Sequence, residues 1–137
     1  MRRATLLLPA LLAAGCAATP AQRAQQQAAA AGEDAKLAAR LAGYTAQPPV
    51  ECLPTLPADR SSTAFGAKIL YSDHGGMLYV NQTTGGCESM ERGDYLVTVS
   101  HAGRVCAGDI GQTFEPVARV PTGSCALGRF TPYVRAR

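Results

Sequence analysis

Five cysteines stand in this chain of 137 residues, and a thiol can serve as a nucleophile, a metal ligand or half of a disulfide. Four of them, Cys52, Cys87, Cys106 and Cys125, form an even set separated by 35, 19 and 19 positions. Tetrahedral metal sites draw on close pairs such as C-x-x-C. No such pair exists here, so the spacing points to two disulfides and to no metal. The two histidines are the other places where a reaction could begin. His74 follows Asp73, and His101 follows Ser100. A hydrolytic triad needs nucleophile and base to meet in space, yet neighbours on a strand, as Ser100 and His101 are, point to opposite faces. Asp73, His74 and His101 are equally poor as a metal set, because two histidines without supporting spacing do not close a site. Both fall at predicted hairpin ends, where polar residues are ordinary. The reading is of a protein without catalytic residues, metal or other cofactor.

Three further groups invite a binding role. Tyr71, Tyr79 and Tyr95 would form an aromatic platform if they faced solvent. Alternation places Tyr71 with Ile69 and Tyr95 with Val97, so core packing is the expectation for them. The run Thr83 to Gly86, TTGG, lacks the lysine and the following helix of a phosphate loop. Glu88 to Asp94 reads as a solvated loop. Lysines and arginines are scattered, and the net charge of +3 falls to about +1 once Arg2 and Arg3 are set aside. Nucleic acid is therefore not an expected partner.

The fifth cysteine has its own context. Met1-Arg2-Arg3 is a short positive region, and Ala4 to Ala14 is an apolar run too short to span a bilayer. Leu12-Ala13-Ala14-Gly15-Cys16 then matches the bacterial lipobox, in which small residues precede a cysteine. The match implies diacylglyceryl transfer to the Cys16 thiol, cleavage before it, and acylation of the new amino group. Several acyl chains, at about 0.8 kcal/mol per buried methylene, hold a protein stably on a membrane. Ala17 stands where an inner-membrane retention aspartate would be. The expected location is the cell envelope, lipid-anchored, in the outer membrane and facing the periplasm.

The four distal cysteines need elements of secondary structure to position them. Residues 1–15 read as a signal peptide and residues 16–49 as a lipidated tether ending in a short helix. Ala17 to Gly32 is nearly all Ala and Gln, with no large apolar side chain to bury. From Glu33 to Tyr44, Leu37, Leu41 and Tyr44 recur at helical spacing. This is either a helix of three turns packed on the domain or a partly helical spacer. Gln47-Pro48-Pro49 marks its limit.

Residues 50–137 read as a disulfide-stapled β domain. Phe65, Ala67, Ile69 and Tyr71 alternate as in one strand, Ser72 to Gly76 is turn chemistry, and Met77 to Gln82 returns. Tyr95 to Ser100 is a further strand, with Ala102-Gly103 as a two-residue turn into Arg104 to Ala107. Gln112 to Val120 and Gly128 to Val134 complete the set, and Pro116, Pro121 and Pro132 confine them to edges or ends. The expected fold is mainly β, a small five- to six-stranded barrel or roll stapled by two disulfides. Four cysteines allow three pairings. The Ala102-Gly103 turn would set Val99 opposite Cys106, beside the strand that follows Cys87. The favoured pairs are then Cys87–Cys106, a loop of about 20 residues worth about 3 kcal/mol, and Cys52–Cys125, about 74 residues and about 4.5 kcal/mol.

The stretches ECLPTLPADRSSTAF, Cys106 with Asp109-Ile110, and SCALGRFTPY resemble a family of small uncharacterised exported proteins of Gram-negative bacteria. There a leader precedes a four-cysteine domain ending in Cys-x-Leu-Gly-x-Phe-x-Pro, a pattern matched here by Cys125, Leu127, Gly128, Phe130 and Pro132. The likeness covers roughly residues 51 to 133. Gly111 and Gln112 depart from it, since the family continues a hydrophobic strand after Asp109-Ile110. The resemblance implies export, disulfides and fold, and no activity. The functional expectation is a non-enzymatic envelope lipoprotein that binds a periplasmic protein or serves envelope structure. The alternative is a lysozyme inhibitor: those lipoproteins are also small disulfide-linked β-barrels, and YSDHGG is similar to their tyrosine-rich loops, although their Ser-Gly-containing motif is missing here.

Overall fold

A computed structural model describes residues 18–54, 61–73, 75–100 and 103–136. Cys16, His74 and His101 lie outside them. The first element of the described residues is helix α1 (Pro20–Arg40). Thr19 starts it with a capping box: the Gln22 amide N–H donates to the Thr19 hydroxyl, and the Gln22 side chain accepts from the Thr19 N–H. Pro20 occupies the first turn, where its missing N–H costs nothing. The Ala/Gln run read as a tether is therefore one continuous helix, since both residues are good helix formers. Its first half is solvated, as that composition requires. Leu37 is its buried residue, and Leu41 and Tyr44 pack beside it as their spacing predicts. The helix stops earlier than Gln47, because Gly43 takes a left-handed conformation (φ +80°) and turns the chain into β1 (Tyr44–Ala46). Among the described residues no helix is long and apolar enough to cross a membrane.

Among the described residues seven strands form one antiparallel sheet. They are β1, β2 (Ser61–Phe65), β3 (Lys68–Ser72), β4 (Leu78–Thr83), β5 (Tyr95–Val99), β6 (Ile110–Phe114) and β7 (Pro121–Arg135), in the order β2-β3-β4-β7-β6-β5, with β1 also on β7. The sheet is not closed into a barrel; β2 and β5 are its ends. The mainly β expectation with two disulfides holds. The boundary at residue 50 is not a boundary in the fold, because β1 joins the sheet and Leu37 joins the core.

Two elements differ from their sequence reading for local reasons. The alternation Phe65 to Tyr71 is a hairpin and not one strand: Gly66 (φ +59°) makes the first position of a two-residue turn, the conformation a type II′ hairpin needs. Phe65 and Ile69 consequently face opposite sides. The last strand, expected at an edge, runs through the middle of the sheet. The Pro132 carbonyl accepts from the Gln47 N–H, so Pro132 directs its missing donor toward Gln47, and the one ladder bond it forgoes lies just past the end of β1, where the chain gives way to Pro48-Pro49.

Each sheet face has its own core. The inner face gathers Leu53, Ile69, Tyr71, Tyr79, Leu127 and Phe130 around the Cys87–Cys125 disulfide. Phe130 is fully buried and meets Tyr71 edge-to-face, with centroids 5.8 Å apart. On the other face, Leu37 of α1 packs on Phe65, Leu70 and Leu78, and Lys68 pairs with Asp34 at 2.7 Å. Strand β7 is long enough to serve both halves because it bends. Between the pairs Asn81↔Phe130 and Thr83↔Leu127 it carries one extra residue, a bulge at Gly128-Arg129. Buried Asn81 satisfies it: the amide donates to the Gly128 carbonyl at 2.6 Å and accepts from the Gly128 N–H at 3.2 Å. A side chain at residue 128 would strike the Gln82 carbonyl, which is why the terminal motif has glycine there.

The disulfides are Cys52–Cys106 and Cys87–Cys125, not the nested pairs Cys87–Cys106 and Cys52–Cys125. The nested assignment required a hairpin at Ala102-Gly103. Instead β5 pairs with β6, Val99 opposite Ile110, and the intervening segment carries Cys106 to a short bridge with Cys52. Cys125 stands opposite Gly111, and the absent side chain there leaves Cys125 Sγ 3.6 Å from where a Cβ would lie. Gly111 thus faces the staple at ordinary contact distance and does not end β6.

Candidate functional site

Parity along β5 predicts that Tyr95, Val97 and Val99 share a face, and they do. That face is outward. Tyr95 and Val97 are each 41% exposed and Val99 52%, against the core packing expected of them. Tyr71 and Tyr79 do lie in the core, at 5% and 4% exposure. The difference arises at Gly111: Leu96 on the opposite side of β5 would lie 2.9 Å from a Cβ there, so this glycine seats Leu96 inward and turns its neighbours out. Cross-strand pairing sets Ile110 beside Val99 and Phe114 beside Tyr95. The Tyr95 and Phe114 rings stack with centroids 5.7 Å apart.

Apolar exposure concentrates here. Among the described residues seven large hydrophobic side chains are exposed, and four of them, Tyr95, Val97, Val99 and Ile110, cover this outer face. Val117 and Val120 belong to the turn between β6 and β7, which leaves Val50 alone elsewhere. Followed along β7, this is the same sheet face that α1 covers over β2, β3 and β4. The helix shields one half and leaves the other bare. Strand β5 is also an end of the sheet, and YLVTV contains no charge and no proline. Such residues are the usual protection of an unpaired edge.

A concavity of about 760 Å³ lies between α1, the Gly66 turn and the 3₁₀ segment Glu88–Arg92. Its acidic rim is committed to internal bonds. Glu91 accepts from the Gly66 N–H at 2.5 Å, Glu88 from the Gly86 N–H at 2.8 Å, and Glu33 binds Lys36 at 2.6 Å. That hydrogen bond, with the charge of Glu33 behind it, raises the Lys36 pKa above its ordinary value. Expected as a solvated loop, this segment in fact buries Ser89, whose hydroxyl joins Thr113 at 2.8 Å and Thr122 at 3.1 Å. Thr122 also donates to Asp94 at 2.5 Å. These hydroxyls hold the irregular start of β7 to β6.

The other sequence candidates have structural duties. Asp73 accepts from the Met77 N–H at 3.0 Å and closes the β3–β4 turn, with Tyr71 of YSDHGG buried beneath it. Ser100 donates to the Arg104 carbonyl. In TTGG, Thr83 donates to the Ala67 carbonyl at 2.8 Å, and a side chain at residue 86 would overlap the Ser124 carbonyl. Among the described residues, the structure brings none of these candidates together around a common point. The exposed row was missed because YLVTV is apolar at four of five positions, so its pattern gives no side. The signal that was available is the lack of any charge along an isolated strand. Comparison of the chain with protein-family models, with curated proteins and with solved structures found no match.

Proposed function

We propose that this chain is a lipid-anchored, non-enzymatic envelope lipoprotein, of the four-cysteine exported kind its motifs resemble. Its β domain acts as a binding module facing the periplasm. The occupant is an extended segment of a partner protein that adds to β5. The observation that carries the binding role is the unprotected β5 edge with Tyr95, Val97 and Val99 exposed beside Ile110. An added strand gains main-chain hydrogen bonds from the edge, and apolar residues at alternate positions give it selectivity. The lipobox and the two disulfides support an extracytoplasmic address.

Two measurements test the proposal. For the anchor, mass spectrometry of the processed protein is expected to find Cys16 at the N-terminus carrying acyl mass, and Cys16→Ser to leave it unacylated. An unlipidated N-terminus elsewhere sinks that part. For the module, the wild-type domain and a Val97→Lys/Val99→Lys variant are offered to envelope extract. Both substitutions lie on an exposed face, so folding is expected to change by no more than about 0.5 kcal/mol. Capture of one protein by the wild type and its loss in the variant is the expected result, with crosslinks running from β5 to an extended segment. Equal capture by both, or a dimer of this chain occupying the edge, overturns it.

A further inference from the structure

The two disulfides differ in setting. Cys87 and Cys125 are 2% and 3% exposed, inside the inner core. Cys52 and Cys106 are only half-buried. They stand directly opposite one another in an isolated antiparallel bridge. The flanking bonds run from the Leu53 N–H to the Val105 carbonyl, 2.8 Å, and from the Ala107 N–H to the Glu51 carbonyl, 2.7 Å. That pattern makes the cysteines a non-hydrogen-bonded pair, the position where two strands approach most closely. Their Cα atoms lie 3.9 Å apart, below the roughly 4.4–6.8 Å that disulfides usually span.

We infer that Cys52–Cys106 is a thiol-exchange site whose reductant is an external dithiol, while Cys87–Cys125 is the permanent staple. A thiolate of the dithiol attacks one protein sulfur, the Cys52–Cys106 bond breaks, and the electron pair leaves on the other sulfur, which takes up a proton. The second thiolate of the reductant then displaces the mixed disulfide. The protein gains two electrons and two protons as two thiols, and the dithiol ends as its own disulfide. Access decides which bridge reacts, because the attacking thiolate must reach sulfur along the bond axis. After exchange the strap around Cys52 remains held. Val50 and Phe130 exchange both backbone hydrogen bonds, at 2.8 and 2.9 Å, and Leu53 stays in the core at 1% exposure. The reduced form is therefore a folded protein with the chain around Cys52 still seated.

The inference is independent of the docking reading and is tested on the purified protein with dithiothreitol under native conditions. Alkylation followed by peptide mapping is expected to label Cys52 and Cys106 at least about tenfold faster than Cys87 and Cys125, with the β-sheet circular dichroism unchanged. A Cys52→Ser/Cys106→Ser variant is expected to lose the fast phase and keep the slow one. Equal rates for the two bridges, prior opening of Cys87–Cys125, or a fast phase that persists in the variant would each overturn the assignment. So would labelling of Cys52 and Cys106 only at the rate of global unfolding.

Discussion

Replacing Cys87 and Cys125 together by alanine is expected to lower the unfolding free energy by about 5 kcal/mol. About 4 kcal/mol of this is loop entropy returned to the unfolded chain, since the bridge closes a sequence separation of 38. The rest is packing, because both sulfurs lie within the cluster of Leu127, Tyr79 and Phe130, and their removal leaves a void worth about 1 kcal/mol or more. The Cys52–Cys106 loop is longer, at 54, and chain entropy alone would make the two losses nearly equal at about 4 kcal/mol. Burial separates them. Denaturant titration of Cys87→Ala/Cys125→Ala against Cys52→Ala/Cys106→Ala is expected to rank the first as the more damaging. A small domain holds about 5–15 kcal/mol in all, so this variant should be near its folding limit. The reverse ranking would mean that the inner core does not depend on its staple.

The second large effect is expected at Asn81, which is fully buried. Asn81→Ala should cost about 3 kcal/mol, because the Gly128 N–H and carbonyl lose the amide that satisfies them inside the bulge. A buried polar backbone group without a partner costs more than the hydrogen bond gained in forming it. The midpoint of chemical unfolding measures the loss. Surface-type destabilisation, within about 0.5 kcal/mol, would show that water reaches the bulge and takes over from the amide.

These two sites also separate what was legible from what was not. The terminal motif drew attention to Gly128 and Phe130, but nothing near it pointed to Asn81. The two are 47 positions apart, and only the β4–β7 pairing brings them together. The Cys52–Cys106 exchange site was legible only as two cysteines of an even set. Its exposure and its cross-strand position depend on where the segment after β5 travels. The bare β5 face was read correctly in parity and wrongly in side, for the reason seen at Gly111.

What the sequence determined by itself is local or periodic. Period-2 runs and turn residues specified β5, the β3–β4 turn and a mainly β domain, and Leu37, Leu41 and Tyr44 marked the helix side that meets the sheet. Even, widely spaced cysteines specified two disulfides, because no close pair offered a metal site. Tertiary structure decided strand order, and almost everything functional follows from it. Placing β6 beside β5 removed the expected hairpin, and the central position of β7 brought Cys125 to Cys87. That left Cys106 for Cys52 and left β5 as an open edge. The physical reason is that alternation constrains which residues share a face, whereas partner and side are chosen by contacts between segments far apart in the chain.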